Sequence, residues 1–210
     1  MRIPRLMAIS DASSRVSSSL IPWLGQIEGL VDGVQLREKH LADREQLELA
    51  VRCRSATGSM LLMNGRPDIA LAAGCEGVHL TSTGLPTQAV RAAFGDRLLI
   101  GRSTHHPDEV LAARQDGADY VVFGPVFPTP SKAAYGSPPG LPGLRQATQH
   151  GLPVIAIGGI GPEQMPVVAS AGASGVAGIR AFQDLTQLNA MAAIAHRLWP
   201  ESTPANSPIS

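Results

Sequence analysis

A chain of 210 residues with 44% hydrophobic, 16% charged and 4% aromatic residues fits one domain around a sizeable core of Val, Ile, Leu and Ala. Seventeen basic residues balance seventeen acidic ones, which excludes a global field for nucleic acid or an anionic membrane, so any anion site must be local. Cys53 and Cys75 signal neither a disulfide framework nor a zinc site,. No segment reaches the length of a signal h-region or a membrane span, so a cytoplasmic protein with reduced, packed thiols is expected.

Along the chain, short β-prone runs alternate with helical stretches, the pattern of a parallel sheet built from βα units. Eight runs are predicted as strands: 5–10, 33–37, 59–63, 77–80, 98–102, 120–124, 154–157 and 176–179. Most are too apolar for a sheet with one wet face. Eight strands with eight crossovers predict an α/β fold, a (β/α)8 TIM barrel over residues 1–199. Leu47, Ala50, Val51 and Arg54 predict an amphipathic helix over 43–57,, and Pro107-Asp108-Glu109 reads as the first turn of another,. The segments 73–78, 115–120 and 171–176 repeat one phrase of helix end, glycine cap and strand,. Between Phe127 and Leu141 four prolines, with Pro142 just beyond, mark a long loop at the functional rim,. The Pro- and Ser-rich stretch 200–210 is expected to be a disordered tail,.

Polar residues at the C-terminal ends of barrel strands point into the mouth and carry the chemistry. The second strand ends Gln35-Leu36-Arg37-Glu38-Lys39 and the third Met63-Asn64-Gly65-Arg66. The fifth ends Arg102-Ser103-Thr104-His105, and the sixth runs on through Pro125 to Thr129, Pro130, Ser131 and Lys132. After the seventh strand, Gly158 and Gly159 let backbone N–H groups approach an anion, and the eighth ends Ile179-Arg180,. Barrels commonly bind phosphate after these last two strands. His79, between Val78 and Leu80, reads as a core-rim histidine with satisfied hydrogen bonds; His40, His150 and His196 read as surface residues.

Five motifs in order, Gln-Leu-Arg-Glu-Lys at 35–39, Gly-Val-His-Leu at 77–80, Ser-Thr-His at 103–105, Phe-Gly-Pro-Val-Phe-Pro-Thr-Pro-Ser-Lys at 123–132 and Ala-Ile-Gly-Gly-Ile at 156–160, make the chain resemble the thiamine-phosphate synthase and TenI family. The resemblance implies coupling of hydroxymethylpyrimidine diphosphate with thiazole phosphate, with Mg2+ and cations holding the diphosphate. By motif, Gln35, Lys39 and Asn64 would touch the pyrimidine diphosphate, and Ser103 and Lys132 its phosphates. Thr129 and Ser131 would meet the thiazole, while Gly158, Gly159, Ile179 and Arg180 would hold its phosphate. Lys39, Ser103 and Lys132 are the expected catalytic groups.

Two positions depart from the synthase pattern. Gly65 and Gly84 stand where the resemblance implies metal-binding aspartates. No metal ligand is therefore assigned: Mg2+ would arrive on the diphosphate, or Lys39, Arg66, Arg102 and Lys132 would neutralise the charge. The 63–66 segment resembles the TenI branch, some members of which isomerise thiazole phosphate, but Pro125 stands where that branch has a histidine. His105 and His106 are candidate replacement bases. The expected partners are small phosphorylated heterocycles, not nucleic acid or membrane, and a homo-oligomer is left open. A tautomerase and a non-catalytic phosphate-binding barrel remain the alternatives.

Overall fold

The computed structural model describes residues 2–12, 20–129 and 138–200. Eight strands close into a parallel barrel in chain order: β1 (Leu6–Ile9), β2 (Gly33–Leu36), β3 (Met60–Asn64), β4 (Gly77–Leu80), β5 (Leu99–Thr104), β6 (Tyr120–Phe123), β7 (Val154–Ile157) and β8 (Gly175–Gly178). The helices around it are α1 (Leu20–Ile27), α2 (Asp43–Ala56), α3 (Pro67–Ala72), α4 (Thr87–Phe94), α5 (Pro107–Gln115), α6 (Gly140–Thr148), α7 (Met165–Ser170) and α8 (Leu185–Leu198). Short 3-10 turns cover Gly95–Arg97 and Arg180–Phe182. None of the described helices is long and apolar enough to cross a membrane. All but Pro200 of the expected tail lies outside the described residues.

Each strand is buried on both faces, which accounts for the unbroken apolar runs. Outward residues such as Val34, Leu61, Val78, Ile100 and Val121 pack under the helices. Inward residues Met7, Ile9, Leu62, Leu99, Tyr120, Val122, Ile155 and Ala177 fill the barrel itself,. Cys53 and Cys75 are buried thiols, and burial together with the Glu76 charge pushes the Cys75 thiol up to about 11.

The strand ends differ from the sequence reading where polar residues continue the ladder. Asn64 belongs to β3 because it pairs with His79. Strand β5 continues through Ser103, opposite Val122, and Thr104, opposite Phe123. Asn64 and Ser103 stay partly exposed toward the mouth, whereas the buried Thr104 hydroxyl donates to Val122 O,. Helix α2 ends one residue short of the expected Thr57. Helix α5 begins at Pro107 as expected, and Glu109 Oε2 accepts from the His105 N–H at 2.6 Å.

At the opposite face, the repeated phrase has a second use. Asp32, Glu76 and Asp119 each precede an even-numbered strand, and each accepts an N–H from the first two residues of the strand before it: Leu6 at 3.1 Å, Leu61 at 2.7 Å and Ile100 at 2.7 Å. An arginine meets each carboxylate, Arg5, Arg54 and Arg91 respectively. Ser174 occupies the fourth equivalent place before β8. These clamps tie neighbouring strands at the end of a barrel that serves stability.

Candidate active site

Parallel closure brings the C-terminal ends of all eight strands to one rim. Gln35 lies between Ile9 and Leu62 in register, both of them inward residues, so its side chain also faces the barrel interior. It is 2% exposed, and its Oε1 has no hydrogen-bond partner among the described residues. Asn64, the half-buried last residue of β3, makes no side-chain hydrogen bond among the described residues. Lys39 follows β2 on the rim, where it is exposed and forms no ion pair among the described residues. Its neighbour Glu38 is buried and lies 3.8 Å from His40 Nδ1.

Across the barrel, Ser103 Oγ lies 2.8 Å from His79 Nε2, and Tyr120 Oη lies 3.4 Å from His79 Nδ1. Burial, with the nearby Arg102 charge, pushes the His79 imidazole down to about 3, so it is neutral near pH 7,. Burial likewise drives the Tyr120 phenol up, with the Asp119 charge adding to it. His79 is thus the satisfied interior histidine that the sequence suggested. Tyr120 was not foreseen as part of the site. A signal did exist: Gly101, its partner in register, is a glycine inside a strand, which marks a close approach.

The glycines after β7 have a steric cause. Gly158 and Gly159 sit at φ of 99° and 64°, where side chains are strained. A Cβ on Gly158 would meet Pro125 Cβ at 2.6 Å, and one on Gly159 would meet Phe127 Cβ at 2.8 Å. Val126 donates to Ile157 O at 2.8 Å and Phe127 to Gly158 O at 3.1 Å. The segment after β6 therefore lies directly on the glycine pair, with Thr129 half-buried at its far end. Ile179 is half-buried beneath the rim, and Arg180 is exposed at the start of its 3-10 turn. Ser131 and Lys132 lie outside the described residues.

Arg66 does not remain available to a diphosphate. It bonds both oxygens of Asp68, at 2.9 and 2.6 Å, and also reaches Asp43. The Arg66 bond holds the Asp68 carboxyl below its ordinary value against the opposing effect of burial. Arg102 points its terminal nitrogens at Leu85 O (2.7 Å) and Ser82 O (3.0 Å), bracing the loop that contains Gly84. His105 Nδ1 is 2.6 Å from Gly124 O, so the ring donates there and Nε2 takes no part in that bond; His106 is exposed.

Magnesium needs several oxygen ligands. Among the described residues no three His, Cys, Asp or Glu side chains gather to supply them. The nearby carboxylates Asp43 and Asp68 are committed to Arg66. The described donor set does not fit a divalent cation held by the protein.

The thiamine monophosphate synthase family model matches residues 6–182. A thiamine-phosphate synthase of Chloroflexus aurantiacus is 40% identical over 182 residues, 84% of each chain. A Geobacter sulfurreducens protein is 49% identical over 162 residues, covering 75% of this chain and 76% of that one. The structure of thiamine phosphate pyrophosphorylase from Pyrococcus furiosus superposes with a TM-score of 0.82 at 28% identity, over 92% of this chain and 96% of that chain. With the match running from β1 to the turn after β8, the chain belongs to the thiamine monophosphate synthase family.

Proposed function

We propose that the protein joins hydroxymethylpyrimidine diphosphate to thiazole phosphate. The bond between the pyrimidine methylene carbon and the diphosphate oxygen breaks, and its electron pair leaves with pyrophosphate. The thiazole nitrogen lone pair then forms the new C–N bond, giving thiamine phosphate. Little covalent work falls to the protein, which positions the reactants and stabilises leaving-group charge.

The observation that carries this reading is the buried Gln35 Oε1 beneath the rim, which has no partner among the described residues. A buried acceptor without a donor is costly, and the ring substituents of an aminopyrimidine would satisfy it. Asn64 would serve the same ring. Lys39, Ser103 and Lys132 would take the diphosphate, with Thr129 and Ser131 beside the thiazole. The amides at Gly158 and Gly159, with Ile179 and Arg180, would hold the thiazole phosphate. Any magnesium would arrive on the diphosphate.

The test is to incubate the purified protein with both precursors and Mg2+ while following pyrophosphate and thiamine phosphate. Turnover is expected, and Lys39→Ala should lower kcat/KM about 100-fold through lost charge stabilisation. Conversion of the thiazole isomer alone would select the tautomerase, with His105 as the candidate base. Binding of both phosphates without conversion would select the ligand-binding barrel.

Adding carboxylates back gives a further prediction. A Cβ at Gly65 meets nothing within 4 Å, and its φ of 73° adds about 1 kcal/mol of strain that aspartate tolerates better than most side chains, whereas one at Gly84 would meet only the movable Thr81 hydroxyl closer than 3 Å,. Gly65→Asp with Gly84→Asp should therefore fold and make coupling rise more steeply with Mg2+ concentration. An unchanged Mg2+ dependence would reject the two glycines as the cause of a weak metal site.

A further inference from the structure

Ser103 can present either a proton or a lone pair to the mouth, and only the proton suits a phosphate oxygen. The groups beneath it settle which. Tyr120 is fully buried, and its hydroxyl has His79 Nδ1 as its partner. Burial also keeps the phenol protonated, so its proton needs an acceptor. Nδ1 can accept only if it is bare, and a neutral imidazole with a bare Nδ1 carries its proton on Nε2. Nε2 then donates to Ser103 Oγ, 2.8 Å away. One serine lone pair accepts that proton, and the serine's own proton is left for the mouth.

We propose that Tyr120 and His79 form a proton-ordering relay that fixes the Ser103 hydroxyl as a donor toward the diphosphate. His79 is here a positioning residue and exchanges no proton with substrate. The alternative tautomer would strand the phenol proton in the barrel and turn a serine lone pair toward an anion. The inference rests on the reading of Ser103 as a diphosphate ligand, and it goes further by assigning the direction of one hydrogen bond and the two residues that set it.

The tautomer is read directly from 15N-labelled histidine in the full chain without ligand. The His79 resonance, identified by its loss in His79→Gln, should show Nε2 protonated and Nδ1 bare; a protonated Nδ1 would overturn the relay. A mutant cycle gives the functional reading. Tyr120→Phe should lower kcat/KM for coupling about tenfold, the worth of one hydrogen bond, but should have no effect in a Ser103→Ala background. Equal losses in both backgrounds would make the tyrosine merely structural and overturn the proposal. Inorganic pyrophosphate affinity is measured on the same four proteins. If Tyr120 and Ser103 remain coupled in that affinity while turnover is absent, the relay stands and the synthase reading falls.

Discussion

Gly101→Val should destabilise the barrel by about 3 kcal/mol, the upper range for overpacking a core, and should disable the site with it. Gly101 lies opposite Tyr120 in the β5–β6 register. Even a single Cβ there would fall 2.2 Å from Tyr120 Cζ and 2.4 Å from its hydroxyl oxygen. The ring is fully buried among Met7, Leu62, Leu99 and Ile155, so it has no open direction in which to swing. It must push on His79, whose ring centroid is 5.9 Å away, and through it on Ser103. Urea unfolding should show a lower midpoint at an unchanged slope. A midpoint equal to that of the unsubstituted chain would disprove the close approach. Pairing the change with Tyr120→Ala should return part of the stability by removing the clash, but none of the activity that depends on Ser103 orientation.

The eight strands were readable because full burial leaves continuous apolar runs, and the polar residues closing them stand out against that background. Gln35, Asn64 and Ser103 become candidates in this way, and the pair Gly158–Gly159 by its place after the seventh strand. The same double burial hides which side chains face inward. In a strand such as Gly77–Leu80 no polar alternation separates the two faces, so that His79 meets Tyr120 follows only from the register of three strands around the closed barrel. Nor could local pattern show that Arg66 is spent on Asp43, a partner on another helix. Arg66 and Lys39 looked alike as rim cations, and only packing separates the neutralised one from the exposed one. The orphaned acceptor on Gln35 is equally a property of its surroundings, since an amide at a strand end reads the same whether satisfied or not.

The clamp at the other end of the barrel should carry the largest single stabilisation among the charged groups. Asp32 accepts from Arg5 N and Leu6 N at 3.1 Å each, and from Arg5 Nε at 3.1 Å and Nη2 at 2.6 Å. Arg5 is only 8% exposed and also donates to Trp199 O at 3.1 Å, just past α8. Asp32→Ala would leave that guanidinium buried without its anion, a loss of about 3–5 kcal/mol for a pair of this kind. Burial by itself would raise the Asp32 pKa, but the Arg5 hydrogen bonds and charge, the Leu6 N–H and the Arg2 charge outweigh it and hold the carboxyl below its ordinary 3.8. A carboxylate whose folded pKa is depressed contributes stability that is complete above its unfolded value and disappears as pH falls through the folded one. The unsubstituted protein should therefore lose this contribution only below about pH 3.8, while Asp32→Ala lacks it at every pH. Urea unfolding of both at pH 7 and pH 3 measures the difference. The gap should be widest at neutral pH and narrow in acid; a gap that stays constant would mean that Asp32 acts through shape and not through its charge on Arg5.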